Sequence, residues 1–163
     1  MPDTAPFSQD LWLSQNQRYL MACIASVRYA LQSSSSGPAD QDPAPADAHH
    51  AVEAEILASR AALSAPAALD VLAERLALSP FERDTLLACA GLELDGSLAA
   101  AYEADGTTAL CFARLMTSLP SAHWTALTPT APLRRYGLIT LGVGRGLMHA
   151  PLRIEERVLH YLT

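Results

Sequence analysis

Residues 79–82, Ser-Pro-Phe-Glu, can do little other than begin a helix. The serine oxygen accepts from first-turn amides that have no helical partner, and the proline presets φ at the first helical position. The glutamate reaches back to the serine N–H and complements the helix dipole. Upstream, Leu69, Leu72 and Leu76 mark one side of a short helix over 66–76. Downstream, the capped helix is expected to run to Ala90, with Gly91 as its C-terminal cap. Two short helices joined by a tight capped turn, over residues 72–87, read as a helix-turn-helix.

The rest of the chain can be placed around this start. Leu13, Leu20, Ile24, Val27 and Leu31 form the stripe of an amphipathic helix over Ser8 to Gln32. Residues 1–32 are therefore read as an N-terminal amphipathic unit. Residues 33–47 are rich in Ser, Pro and Asp and read as a flexible linker. Residues 48–163 form the main domain. Val52, Ile56 and Leu57 predict a helix ending near Leu63, and further short helices are expected at 97–103 and 108–118, with Pro120 stopping the second. Ser121 to Trp124 begins one more helical turn.

The texture then changes. Tyr136–Leu141 reads as a strand, residues 142–146 (Gly-Val-Gly-Arg-Gly) as a turn, and Leu147–Ala150 as the returning strand. A last helix is expected to carry Ile154, Val158, Leu159 and Leu162. The fold expected is mainly α: a winged-helix-like domain with one C-terminal β-hairpin, the wing, and an extra N-terminal helix.

Charge narrows the function. The chain of 163 residues has a formal net charge of −6, and all 11 of its basic residues are arginine. Duplex DNA binding draws on the release of counterions by a basic face, which this balance does not favour. The start of the helix at 80 offers Glu82, Arg83, Asp84 and Thr85, a net-negative set in place of the basic and amide side chains that read base edges. A phosphate loop needs Gly-Lys-Ser/Thr opening a helix, whereas Gly142, Gly144 and Gly146 lie between two strands in a chain without lysine. The three cysteines, Cys23, Cys89 and Cys111, are widely spaced in apolar surroundings and read as buried thiols.

His49 and His50 lie at the linker edge, His123, His149 and His160 read as lacking short-range acidic or cysteine partners at metal-ligand spacing, and no serine sits in a GxSxG elbow. No catalytic residue, cofactor or metal is therefore expected. Without a basic leader ahead of an apolar run, or a stretch of about 20 apolar residues, the chain is expected to be cytoplasmic and free of membrane. One cationic set stands out. Arg134 and Arg135 precede the first wing strand, Arg145 lies in the wing turn, and Arg153 follows the returning strand. Guanidinium forks there would hold carboxylates of an acidic partner surface.

Four stretches, NQRYLMACIASVRYAL (16–31), LDVLAERLALSPFERDTLLACAGLELD (69–95), LPSAHWTALTPTAPLRRYGLI (119–139) and APLRIEERVLHYL (150–162), occur in the order of a known bacterial family. They resemble the variant winged-helix domain at the N-terminus of certain large AAA+ ATPases, some of them associated with phage-tail-like contractile injection systems. The resemblance implies that an ATPase module follows the closing helix in such proteins. This chain carries no Walker motif and is expected to be an excised domain or a short relative. It also implies a non-catalytic role, presenting partner or substrate proteins to the ATPase ring or steadying its assembly. The partners implied are the ATPase module itself and a substrate or assembly protein, with no nucleic acid. A winged-helix DNA-binding regulator is the alternative from another class. A cryptic hydrolase is a third, requiring a pocket in which Cys or Ser meets a histidine.

Overall fold

A computed structural model of the chain describes residues 8–34, 44–104 and 109–163. Over these residues the chain forms α1 (Gln9–Ser33), α2 (Ala44–Ala61), α3 (Ala68–Arg75), α4 (Pro80–Leu94), α5 (Gly96–Ala104), α6 (Phe112–Ser118), α7 (Pro132–Arg135) and α8 (Glu156–Leu162). Strands β1 (Ile139–Leu141) and β2 (Leu152–Ile154) form an antiparallel hairpin, with Thr140 opposite Arg153. The mainly helical fold with one C-terminal wing is the architecture expected. Residues 35–43 of the expected linker lie outside the described residues, while Ser33 closes α1 and Ala44 already opens α2.

α1 is the axis on which α2, α4, α6 and α8 pack. Its buried face runs Tyr19, Leu20, Cys23, Ile24, Val27 and Leu31, and these side chains belong to the same core as α4, α6, α8 and the hairpin. The stripe differs from expectation at its start: Leu13 is exposed and Asn16 is buried in its place. Asn16 has a reason to be there. Its Nδ2 donates to the Leu162 carbonyl (2.8 Å) and its Oδ1 accepts from the Ala68 N–H (2.9 Å). Ala67, the residue ahead of α3, has no side-chain oxygen, so α1 supplies the cap that α3 lacks.

The capping box forms as read. Ser79 Oγ accepts from the Glu82 amide at 3.2 Å, and Glu82 returns a carboxylate oxygen to the Ser79 N–H at 2.9 Å. α4 does not stop at Gly91, however. It continues to Leu94, and Gly91 lies buried in its interior. A Cβ there would fall 2.8 Å from Leu98 Cδ2 and 2.9 Å from Ile24 Cγ2, so the glycine serves close packing of three helices rather than a cap. Asp95 ends α4 instead. Its carboxylate takes the Ser97 N–H (3.0 Å) and the Arg28 guanidinium (2.6 Å). Burial works to raise this carboxyl, but the Ser97 hydrogen bonds and Arg28 outweigh it and hold it below the ordinary carboxylate range.

The wing corrects two expectations. Residues 147–149 form a turn of 3₁₀ helix, and the returning strand comes later, at Leu152–Ile154. Close approach explains the delay: a Cβ on Gly144 would meet the His149 carbonyl oxygen at 2.6 Å, so the chain folds tightly over itself before pairing. Pro151 has no N–H for a ladder, yet its carbonyl accepts from the Gly142 amide at 2.7 Å. Ile154 therefore lies in β2 and the last helix starts at Glu156. On the other side of β2, Cys111 bridges to Pro151 and the Leu110 carbonyl accepts from Leu152 (2.8 Å). That pairing replaces the first turn of the helix expected at 108–118, of which Thr108 lies outside the described residues.

α7, a single turn, was not anticipated as a helix at all. No described helix is long and apolar enough to cross a membrane.

Candidate functional site

α3 and α7 end in the same hydrogen-bond pattern. At α3, the Ala77 amide donates to the Glu74 carbonyl (3.2 Å) and the Leu78 amide to the Ala73 carbonyl (2.9 Å). At α7, the Gly137 amide donates to Arg134 (3.1 Å) and the Leu138 amide to Leu133 (2.9 Å). Both are Schellman caps, with Ala77 at φ +50° and Gly137 at φ +60° in the left-handed position. Each cap turns its chain sharply, and the two turns frame a shallow groove of about 260 Å³ against α8. Leu72, Leu76, Leu138 and Val158 line its apolar floor, with Tyr136 and Tyr161 at its mouth. The tyrosines are 41% and 49% exposed, large amphipathic rings left in solvent beside an apolar depression.

Arginines rim the groove. Arg157 donates to the Tyr136 carbonyl at 3.2 Å and lines the groove itself, and Arg135 stacks over the Tyr136 ring at 5.5 Å. Arg135 is one of the four arginines picked from sequence. Arg134 is engaged differently: its guanidinium donates to the Leu127 carbonyl (3.0 Å), tying α7 to the preceding 3₁₀ turn. Arg145 stands exposed in the wing turn, and Arg153 lies on the solvent face of β2, lining a separate hollow with Glu93, Tyr102 and Leu152. The four thus divide among α7, the wing tip and β2. Sequence reading missed Tyr136, Tyr161 and Arg157. The available signal was a tyrosine and an arginine off the apolar stripe of the last helix.

A larger groove of about 880 Å³ lies over α1, between α2 on one side and the α3–α4 turn on the other. Asp70 is its polar centre. It receives Arg60 (3.3 Å), Arg83 (3.6 Å) and the Tyr19 hydroxyl (3.1 Å). Arg83 also donates to Tyr19 Oη and Cys23 Sγ, so the arginine at the start of α4 is folded inward. Burial raises the Cys23 thiol against the opposing pull of Arg83. Burial likewise raises Asp84, whose one ion pair among the described residues is Arg83 at 3.8 Å. Cys89, wholly enclosed, is pushed up to about 12 by burial and Glu93.

A serine and a histidine do meet. Ser79 Oγ lies 2.9 Å from His123 Nε2, and His123 Nδ1 lies 2.8 Å from Thr125 Oγ1. The histidine is thus oriented by a hydroxyl. The same serine oxygen accepts the Glu82 amide, and neither Ser79 nor His123 lines any of the three hollows described above. The contact ties the 3₁₀ segment that begins at Trp124 to the start of α4.

The family model described as the winged helix domain, variant, matches residues 9–163. No curated protein and no solved structure matches the chain. The match spans every described element from α1 to α8, including the long first helix that shares its core with the wing. The chain belongs to the variant winged helix domain family.

Proposed function

We propose that this winged helix domain is a non-catalytic protein-interaction domain, standing N-terminal to a AAA+ ATPase and recruiting or positioning partner or substrate proteins at its ring. The groove between the α3 cap, the α7 cap and α8 carries the reading. It combines exposed tyrosines, an apolar floor and a rim of Arg135 and Arg157. Tyr and Arg beside an apolar pocket are the side chains on which binding energy concentrates in protein interfaces. The arginine rim suits a partner whose surface is apolar and acidic. The ATPase, and with it a setting in contractile injection systems, rests on the resemblance of residues 16–31, 69–95, 119–139 and 150–162.

The regulator reading finds less to work with. A helix-turn-helix reads DNA with its second helix laid in the major groove. The helix leading into this wing, α7, has four residues, a length of about 6 Å. The α4 alternative begins with a buried Glu82 and an inward Arg83. Fluorescence anisotropy of a labelled duplex tests the choice. No binding is expected even near 20 mM salt, whereas affinity persisting at about 150 mM with a steep log–log salt slope would overturn the reading.

A further inference from the structure

The wing tip and the α1 groove are complementary in chemistry. Val143 is fully exposed at the tip and Leu147 is 47% exposed, with Arg145 between them in sequence. Among the described residues Arg145 makes no ion pair or hydrogen bond. The tip also folds back on itself. Gly144 packs against the His149–Ala150 backbone, Gly146 takes φ +111°, and the 3₁₀ turn at 147–149 rests on α6. An apolar–cation–apolar knob is thus held out beyond this fold-back.

The groove over α1 is the counterpart. Val27, Ile56 and Leu78 supply apolar wall. Its two arginines, Arg60 and Arg83, both converge on Asp70. Two further carboxylates remain: Glu74 is exposed without an ion pair among the described residues, and Asp84 has only the shared Arg83 at 3.8 Å. The groove therefore offers uncompensated negative charge between apolar walls, which a single guanidinium would balance.

We propose that the wing tip of one copy of this chain seats in the α1 groove of a second copy, Arg145 against Glu74 and Asp84, with Val143 and Leu147 against the apolar walls. Knob and groove are different surfaces, so the contact is heterologous, and repetition of it closes a ring or extends a filament. This contact uses neither Tyr136 nor Tyr161, so it stands apart from the reading above and can fail without it.

A contact from one hairpin tip falls below the ~1,200 Å² of stable interfaces, so weak association in the range of roughly 0.1–1 mM is expected. Amide NMR shifts of the 163-residue chain across that range are the test, with Val143→Asp disabling the knob and Glu74→Arg the groove. Both positions are exposed, so the fold tolerates either change. The wild type should shift with concentration at both the wing and the α1 groove, and each variant alone should not. Mixing the two restores one contact: labelled Val143→Asp shifts only in its groove, and labelled Glu74→Arg only at its wing. A wild-type spectrum indifferent to concentration would overturn the proposal. So would self-association that survives either variant, or a mixture that shifts both surfaces or neither.

Discussion

The ends of α3 and α7 solve one problem with different means. Both close with paired amide-to-carbonyl bonds and a left-handed residue, yet α3 places Ala77 there and α7 places Gly137. The surroundings differ to match. α3 is anchored from inside, through the buried Asn16 that joins its first amide to the end of α8. Besides the buried Leu133, α7 is tied by the exposed Arg157 on the Tyr136 carbonyl and by the part-buried Arg134 on Leu127. A helix held by a buried clamp can carry an alanine at φ +50°, where left-handed backbone costs about 1–2 kcal/mol. A one-turn helix whose ties are exposed or only part-buried has little to set against that cost and uses glycine.

If burial is what separates the two ends, Asn16→Ala is the heaviest blow. It orphans the Ala68 amide and the Leu162 carbonyl, and about 2–3 kcal/mol should be lost. The change should appear as a lower urea midpoint at unchanged slope, with faster amide exchange in α8. Gly137→Ala comes next, at about 1–2 kcal/mol, because it imposes the left-handed cost on the weakly held end. Its Cβ would also press on Arg157 Nη2 at 3.1 Å. Thermal melts of the single variants check the ranking.

The reverse exchange sharpens the comparison. Ala77→Gly should stabilise by about 0.5–1 kcal/mol, the relieved backbone cost less the extra chain entropy of glycine. A loss there would mean that Ala77 contributes packing that its φ does not reveal. Smallest of all is Arg157→Met, expected within about 0.5 kcal/mol, since an exposed guanidinium on a carbonyl adds little to stability. Its effect should appear in partner binding instead.

The unequal anchoring also explains what could be read from sequence. Ser79 to Glu82 announced α4 because a capping box is local: four adjacent residues contain its whole chemistry. The end of α3 was legible from the leucine stripe despite the missing glycine. α7 was not, since four residues show no period and one of its ties comes from Arg157, 21 positions beyond Tyr136. Gly91 misled for a related reason. A glycine at a plausible helix end looks like a cap until Ile24 and Leu98 are known to press on it. In the wing, the glycines marked the turn correctly. The 3₁₀ fold-back over Gly144 then delayed the second strand in a way no alternation pattern encodes.

The same limit governs the site. Arg135 was visible as charge beside a predicted strand, whereas the groove it borders exists only once α3, α7 and α8 converge. Tyr136 and Tyr161 gain their meaning from that convergence.

Site-specific photo-crosslinking puts the docking claim to its most direct trial, with a benzophenone amino acid placed in cells at Tyr136, Tyr161 or, as an exposed control on β1, Thr140. The account predicts discrete protein adducts from both tyrosine positions and far weaker yield from Thr140. Equal yields at all three positions, or adducts from the tyrosine positions confined to nucleic acid, would contradict it.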